Sequence, residues 1–346
     1  MINPALCFIM SNMDKLTIGK IRGLQQIASP DGIFTICAMD HRGSLQSMID
    51  EENPGEVSYQ EMVERKLELC STLAEHASAI LLDPIYGAAQ CINHNVLPSS
   101  TGLLVSVEAT GYTGGKENRL TELLPGWSVE KIKRMGASAV KILVYYRPDL
   151  KELASTQLDT VNMVASDCIE HDIPFLVEPK SYPIGDENSN PQKFAARKEQ
   201  LVIETARDIT ALPVDVLKAE FPADLNYRSY SKDKSELVEL CRQLDRSSRV
   251  PWVILSAGVD FEVFCQEVEI ACEAGASGFL GGRAIWQEAM DIEDKQERVK
   301  YLSTVAVDRL KRLNDIAGRY AVPWYKKYGV SADELAGISE TWYQEY

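Results

Sequence analysis

Short apolar runs alternate with longer amphipathic segments along most of this chain. The runs are rich in β-branched and large apolar residues and are bounded by glycine, proline or charged residues, which is typical of buried strands. The segments between them repeat apolar residues every three to four positions, which predicts helices. Eight strands are predicted, at residues 33–39, 79–82, 102–107, 139–146, 174–177, 214–221, 252–255 and 278–280.

The order of these elements predicts the fold class. Helices are predicted at 18–29, 59–77, 128–135, 158–170, 200–210, 235–244, 261–274 and 297–321, and polar loops at 182–193 and 223–234. Eight strands that alternate with helices over about 250 residues predict an α/β protein, a single (β/α)8 TIM barrel at about 33–290. An extra N-terminal helix precedes the barrel, and a C-terminal helical extension follows at about 291–346. A doubly wound sheet is the alternative, but no G-x-G-x-x-G follows the first strand.

Composition limits the classes of partner. The chain has 346 residues and a net charge of −15 without a block of lysine or arginine, which argues against nucleic acid or an anionic membrane. An anionic substrate therefore needs a locally basic site. The eight cysteines and four histidines show no metal-ligand spacing, so no metal and no cofactor is expected. Because no signal peptide or membrane-length apolar run is visible, we expect a cytoplasmic protein.

The sixth strand carries a lysine in its centre. Side chains alternate between the two faces of a strand, so Val216, Lys218 and Glu220 share one face. Burying an unpaired ammonium is costly, and a neutral lysine amine can attack a carbonyl to form a Schiff base. The alternative is a buried ion pair, for example between Lys218 and Glu220, that serves only the fold.

Polar residues gather at the carboxyl ends of the predicted strands, where TIM barrels carry their active sites. Lys141 and Lys218 are expected to converge there, with Glu178 positioned to transfer protons. The ends of strands seven and eight offer backbone N–H groups and a guanidinium that suit a phosphate. The candidate substrate-binding residues at the strand ends are His41, Arg42, Ser256, Gly258, Gly281, Gly282 and Arg283.

Each candidate also has a simpler interpretation. Asp40 and Arg42 can pair with each other, and Lys141 can be the structural partner of a carboxylate. Asp83 precedes a proline and can be only a strand stop. His41 can be a residue that donates or accepts a hydrogen bond without a part in the chemistry.

Ten short stretches of the chain form a set that is specific when taken together. They are AMDHRG at 38–43, ILLDPIYG at 80–87, TGY at 110–112, RL at 119–120, GWSV at 126–129, AVKILVYY at 139–146, EP at 178–179, VDVLK at 214–218, LSAGV at 255–259 and GRA at 282–284. Together these stretches resemble the tagatose 1,6-bisphosphate aldolase family of class I, Schiff-base-forming aldolases, over roughly residues 15–290. Runs 251–256 and 276–280 are also similar to the sulfofructose-phosphate aldolases.

The resemblance implies roles for these residues. It implies that Lys218 forms the Schiff base, that Glu178 is the general acid and base, and that Asp40 and Lys141 support the chemistry. The residues that it implies hold a phosphate are Ser256, Gly258, Gly282 and Arg283. At position 41 the family usually has glutamine, so the histidine is a departure near the first strand.

The activity that the resemblance implies is metal-independent cleavage of a ketohexose 1,6-bisphosphate, tagatose or fructose, into dihydroxyacetone phosphate and glyceraldehyde 3-phosphate. A homodimer is a further expectation at the level of the family. Three alternatives stay open at this point: an aldolase for sulfofructose 1-phosphate, a metal-dependent aldolase, and a barrel that binds a sugar phosphate without catalysis.

Overall fold

The computed structural model describes residues 16–346, and eight parallel strands in it close into a barrel. Each strand pairs with its neighbours in sequence, and the last pairs with the first. The closed barrel with surrounding helices confirms the predicted TIM barrel. The strands are β1 (Phe34–Met39), β2 (Ala79–Leu82), β3 (Gly102–Ser106), β4 (Ala139–Tyr145), β5 (Phe175–Lys180), β6 (Val216–Ala219), β7 (Trp252–Leu255) and β8 (Gly278–Gly281).

Helices cover the outside of the barrel and close its amino-terminal end. They are α1 (Ile18–Ile27), α2 (Gly43–Ile49), α3 (Tyr59–Leu73), α4 (Ala88–Asn93), α5 (Val129–Arg134), α6 (Lys151–Glu170), α7 (Pro191–Ile209), α8 (Tyr230–Ser247), α9 (Phe261–Glu273), α10 (Arg283–Trp286), α11 (Lys295–Tyr301), α12 (Val307–Tyr320) and α13 (Trp342–Glu345). None of these described helices is both long enough and apolar enough to cross a membrane.

Some predicted boundaries were wrong. Strand β5 continues past Pro179 to Lys180, because Val144 and Tyr145 of β4 pair with these two residues. The predicted loops are shorter than expected, since α7 begins at Pro191 and α8 at Tyr230, with their polar residues facing solvent. The short helices α2 and α4 were not predicted at all, because six or seven residues are too few for a clear helical period.

Helix α1 closes the amino-terminal end of the barrel. Its buried residues include Leu24 and Ile27, which join a cluster with the lowest layer of strand side chains. Gly23 permits the contact, because a Cβ there would lie 2.4 Å from the carbonyl oxygen of Ser138. Trp324 of the C-terminal extension packs into the same cluster, so both ends of the described chain support the barrel floor.

The helical extension is attached to the barrel by α11 and α12, which are continuous through a short π-helical turn at Leu302–Ala306. Leu310 and Leu313 are fully buried against the barrel helices. Arg298 of α11 makes a bidentate ion pair with Glu68 of α3, with hydrogen bonds of 2.7 and 3.1 Å. The extension therefore packs directly against the barrel helices.

Seven cysteines are free and buried, and Cys7 lies outside the described residues.

The interior of the barrel changes from apolar to charged along the strands. Inward positions near the floor are apolar, as at Ile36, Leu104, Leu176 and Val216, and they form one cluster. Two residues further along β6, the inward position holds Lys218. The same alternation turns the following charged residues inward: Asp40 after β1, Glu108 after β3, Lys141 on β4 and Glu178 on β5. Period-two geometry thus places a charged layer directly above the apolar one.

Candidate active site

A cavity of about 750 Å³ opens at the carboxyl ends of the strands. Its volume is in the range of small-molecule sites. Of the sequence-predicted residues, Gly258 and Gly281 do not line it, and those that do are Asp40, His41, Arg42, Lys141, Glu178, Lys218, Ser256, Gly282 and Arg283. The structure therefore brings together residues from six strand ends in one cavity.

Lys218 and Glu178 form a close ion pair because of the strand register. Val177 of β5 pairs with Leu217 of β6, so the next inward residue of each strand stands beside the other. The Lys218 Nζ donates a hydrogen bond of 2.7 Å to the Glu178 Oε2, and both residues are buried. The alternative ion pair between Lys218 and Glu220 is not formed, since Glu220 binds Lys180 at 2.7 Å instead.

Lys141 lies at the centre of three carboxylates. Its Nζ is 2.7 Å from Asp40 Oδ2, 2.7 Å from Glu108 Oε1 and 3.1 Å from Glu178 Oε2. The lysine itself is 1% exposed. The suggested pair between Asp40 and Arg42 is therefore wrong, because Asp40 binds Lys141.

These contacts fix the charge state of the cluster. Burial alone would raise the pKa of Glu178, but the positive charges of Lys218 and Lys141 hold that pKa below its ordinary value. Burial likewise opposes ionisation of Asp40, and Lys141 and Lys218 nevertheless keep its pKa well below the usual range. The pKa of Lys141 is raised well above normal, because Asp40, Glu108 and Glu178 outweigh its burial. Asp40, Glu178 and Lys141 are therefore ionised at neutral pH.

His41 is held as a neutral ring between β1 and β8. Burial lowers its pKa to about 3, although the nearby Asp40 opposes this. The ring meets Trp286 edge to face at 5.2 Å, and a Cβ on Gly282 would lie 2.8 Å from its Cε1. Gly282 is thus needed for the imidazole to occupy this place.

The backbone after β1 is fixed by a second buried pair, outside the cavity. Lys66 Nζ lies 3.0 Å from Asp83 Oδ2 and donates to the carbonyl oxygens of Met39 and His41. Asp83 Oδ1 accepts from the amides of Ile85 and Tyr86. Asp83 is thus more than a strand stop, because through Lys66 it supports the turn that carries Asp40 and His41.

A tight turn after β7 faces Arg283. Val259 N donates to Ser256 O at 3.0 Å, and the two residues between them have positive φ angles, 49° at Ala257 and 81° at Gly258. A Cβ at Gly258 would lie 3.0 Å from the guanidinium carbon of Arg283. Within residues 16–346, the Ala257 and Gly258 amides have no hydrogen-bond acceptor, so they remain available to an oxyanion.

Gly281 is a correction to the sequence-based prediction. It does not line the cavity. A Cβ at this position would point outward and lie 2.9 Å from both Ile285 and Phe264. Glycine is needed there for packing against α9 and α10, and its outward direction follows from the inward direction of Leu280.

The lining of the cavity carries more cations than acids in an acidic protein, as an anionic substrate requires. Seven cationic side chains line it against five acidic ones. The cations are Arg42, Arg119, Lys141, Lys180, Lys198, Lys218 and Arg283, and the acids are Asp40, Glu108, Glu178, Glu220 and Asp224. In the part of the chain that the structure describes, no group of three or more His, Cys, Asp or Glu residues is arranged to hold a metal ion.

Residues 34–288, most of the chain, match the family described as DeoC/LacD family aldolase. The chain belongs to the DeoC/LacD aldolase family. It is an aldolase, a lyase that acts on a carbon–carbon bond. The tagatose 1,6-diphosphate aldolase of Staphylococcus epidermidis is 31% identical over 322 residues, covering 89% of this chain and 98% of that protein. Tagatose 1,6-diphosphate aldolase 2 of Streptococcus mutans is 32% identical over 329 residues, covering 90% and 98%.

Solved structures agree with this family at the level of the fold. The fructose-bisphosphate aldolase of Plasmodium falciparum has a TM-score of 0.66 at 15% identity, over 90% of this chain and 96% of that chain. An archaeal fructose 1,6-bisphosphate aldolase has a TM-score of 0.55 at 19% identity, over 84% and 98%. Both comparisons confirm the aldolase-type barrel.

Sequence reasoning missed part of this aldolase site. Glu108, which follows β3, was assigned no role from the sequence, although Lys141 binds it. Lys180 was not considered because β5 was predicted to stop before it, yet it shares the inward face with Glu178. Extending the alternation of β5 by two residues would have found Lys180. Arg119 lies on a loop, where no periodicity marks it.

Proposed function

We propose that this aldolase cleaves a ketohexose 1,6-bisphosphate into dihydroxyacetone phosphate and glyceraldehyde 3-phosphate through a Schiff base on Lys218. One observation carries the proposal. The Lys218 amine stands at an inward, buried position of the cavity, and its proton is shared at 2.7 Å with the carboxylate of Glu178. A lysine with a proton acceptor in direct contact is the arrangement that nucleophilic attack on a ketone needs.

The chemistry begins when Lys218 gives a proton to Glu178 and the neutral amine attacks the C2 carbonyl carbon. Glu178 returns this proton to the carbinolamine hydroxyl, which leaves as water, and the remaining iminium withdraws electrons from C3. Glu178 then takes the proton of the C4 hydroxyl, the C3–C4 bond breaks, and its electron pair forms an enamine while the aldehyde leaves. Protonation at C3 restores the iminium, and water releases dihydroxyacetone phosphate and the free lysine.

Lys141 and Asp40 position Glu178 and balance its charge in this proposal. Lys141 Nζ contacts the same Glu178 oxygen as Lys218 does, so Glu178 keeps a positive neighbour while the Lys218 nitrogen is neutral, as the free amine and in the enamine. Asp40 and Glu108 fix Lys141 from its other side. Buried charges that are fixed in advance stabilise charge shifts without reorganisation during the reaction.

The phosphate on C1 is assigned to the turn after β7 and to the residues after β8. Arg283 supplies a guanidinium, and Ala257 and Gly258 supply amides that have no acceptor within residues 16–346. Ser256 lines the cavity beside Gly282, and its Oγ accepts a hydrogen bond of 3.4 Å from the Gly282 amide. His41 and Arg42 both line the cavity and are assigned to the sugar hydroxyls and to the opposite end of the substrate, because the Arg42 guanidinium extends from β1 to the Glu108 carbonyl oxygen after β3.

The Lys218→Met variant tests this proposal. The substitution removes the nucleophile while keeping most of the buried side-chain volume, so we expect cleavage of tagatose and fructose 1,6-bisphosphate to fall below one thousandth of the wild-type rate. Lys311→Met, at an exposed position of α12, is the matched control and should keep full activity. Residual turnover of the Lys218 variant above a few per cent would contradict the covalent route.

A panel of substrates tests the assignment of the substrate. Tagatose 1,6-bisphosphate, fructose 1,6-bisphosphate and sulfofructose 1-phosphate share the C1 phosphate and the ketone but differ at C4 or C6. We expect the two bisphosphates to be cleaved with the higher kcat/KM, because the relatives are named for such a substrate. A preference for the sulfonated ketose would overturn this assignment while leaving the Schiff-base chemistry intact.

A further inference from the structure

Arg119 lies over the cavity on a hairpin that follows β3. Thr113 and Leu120 exchange backbone hydrogen bonds of 2.9 and 3.0 Å, which form the hairpin. The Arg119 side chain lines the same cavity as Lys218. It belongs to none of the assignments made above.

Three tyrosines hold the Arg119 guanidinium. Its central carbon lies 4.6 Å from the ring centre of Tyr112, 4.8 Å from that of Tyr182 and 5.5 Å from that of Tyr145. These distances are typical of cation–π contacts, which hold a guanidinium while leaving its N–H edge free to donate. The three rings come from the ends of β3, β4 and β5, so the arginine is positioned by three different strands.

The backbone of two of these tyrosines, Tyr145 and Tyr182, is itself held by buried side chains. Gln157, which is buried on α6, donates to the Tyr145 carbonyl oxygen at 2.9 Å. The buried Arg147 donates to the Tyr182 carbonyl oxygen at 2.6 Å and is paired with Glu187 at 2.7 Å. A guanidinium fixed in this way loses little freedom when it binds a ligand.

Arg119 has no acidic partner. Within residues 16–346 it makes no ion pair, and its only hydrogen bond as donor runs from Nε to the Lys116 carbonyl oxygen. The neighbouring Arg42 adds an independent sign of a ligand on this side. Arg42 is 7% exposed, one terminal nitrogen donates to the Glu108 carbonyl oxygen, and the other is buried without a protein acceptor. Two guanidinium groups thus face the cavity with unused donors.

Arg283 and Arg119 lie on opposite sides of the cavity. In the closed order of eight strands, β8 lies across the barrel from β4. Arg283 follows β8, whereas Arg119 stands at the ends of β3 and β4. Lys218 is on β6, which lies between β4 and β8 in the strand order. A substrate that is tethered to Lys218 can therefore present one anionic group to each side.

We propose that Arg119 binds the second phosphate of the substrate, the one at the end that leaves as the aldehyde, and so makes this enzyme selective for bisphosphates over ketose 1-phosphates. The proposal rests on the proposed function and adds to it a residue that determines specificity. Arginine is suited to the role, because its planar fork donates two parallel hydrogen bonds to phosphate oxygens.

The test compares two substrates in three proteins. The proteins are the wild type, Arg119→Met, which keeps the stem under the tyrosines, and Arg134→Met, which makes the same charge change at an exposed site on α5. For each protein, kcat/KM is measured with fructose 1,6-bisphosphate and with fructose 1-phosphate. The ratio of the two values is insensitive to the fraction of folded enzyme, so misfolding cannot mimic the effect.

In Arg119→Met we expect kcat/KM for fructose 1,6-bisphosphate to fall roughly ten- to hundred-fold, the effect of losing a charged hydrogen bond. Because kcat/KM for fructose 1-phosphate should stay unchanged, the ratio of the two values should fall by the same factor. Arg134→Met should keep the wild-type ratio. Arg119→Lys, which keeps the charge but not the fork, should restore part of the preference. An unchanged ratio for Arg119→Met, or an equal loss on both substrates, would overturn the proposal.

Trapping with dihydroxyacetone phosphate separates this inference from the proposed function. This product carries only the C1 phosphate, so borohydride should reduce its Schiff base equally well in the wild type and in Arg119→Met. A wild type that forms the adduct but shows no preference for bisphosphates would overturn the role of Arg119 alone. A wild type that forms no adduct would overturn the proposed function, and the specificity proposal with it.

Discussion

Replacing Lys141 with methionine tests the ion cluster that organises the site. The variant keeps most of the side-chain volume but leaves Asp40, Glu108 and Glu178 around a cavity without their shared cation. At about 3 Å and an effective dielectric constant near 20, each lost contact is worth roughly 5 kcal/mol before desolvation is counted. Removing one partner of a buried ion pair costs about 3–5 kcal/mol net, and with three partners we expect the upper part of that range.

The loss should depend on pH with a definite sign. In the wild type the pKa values of Asp40 and Glu178 are depressed, so their contribution to stability is present above the ordinary values of 3.8 and 4.5 and is lost as the pH falls further. In the variant, burial without Lys141 raises these pKa values. The deficit in unfolding free energy should therefore be largest near pH 8 and shrink toward pH 5, by about 1.4 kcal/mol per pH unit for each proton taken up.

Urea unfolding at pH 5, 6.5 and 8, followed by tryptophan fluorescence and circular dichroism, measures this deficit. Lys311→Met serves as the control for the loss of one lysine charge at an exposed position. A deficit below about 1 kcal/mol at pH 8, or one that grows as the pH falls, would refute the reasoning, because a shared buried cation predicts the opposite of both.

Two further predictions concern the residues around the cluster. Because burial lowers the pKa of His41 to about 3, His41 should contribute no ionisation near 6.5 to the pH profile of kcat/KM, and His41→Gln should keep the wild-type profile, including any break from the substrate phosphates. A break near 6.5 that the variant abolishes would show that the imidazole titrates. Gly258→Ala should weaken binding of the C1 phosphate about ten-fold, measured as the Kd for dihydroxyacetone phosphate, because the new Cβ meets the Arg283 guanidinium. Gly136→Ala is the control, because Gly136 also has a positive φ but open space around an added Cβ, so the variant should cost about 1 kcal/mol of stability without changing that Kd. Equal effects of both variants on binding would contradict the assignment of the C1 phosphate to the turn after β7.

Much of the charged layer could be predicted from the sequence. Strand alternation and the position of TIM-barrel active sites bring Lys218, Glu178 and Lys141 together, and the structure places these three side chains in contact. The prediction works because the geometry of a parallel barrel is regular: an inward residue on one strand has an inward neighbour on the next. The alternative Lys218–Glu220 ion pair is not formed, because the register between β5 and β6 sets Glu178 beside Lys218 and Glu220 binds Lys180.

The remaining differences have local physical causes. Pro179 suggested the end of β5, but a proline can still occupy a paired position at the end of a strand. Gly281 and Gly282 look equivalent in the sequence, yet one faces Phe264 and the other faces His41. Arg119 lies on a hairpin beyond β3, and only the three-dimensional arrangement of the β3, β4 and β5 loops places three tyrosines around it. Contacts between loops leave no periodic signal in the sequence.

The most direct test of the account is borohydride reduction of the enzyme in the presence of dihydroxyacetone phosphate, followed by peptide mapping with mass spectrometry. We predict one adduct with the mass of the reduced imine, on the peptide that contains Lys218, and its absence in Lys218→Met. No adduct, or an adduct on Lys141 or another lysine, would contradict the assignment of Lys218 as the Schiff-base residue.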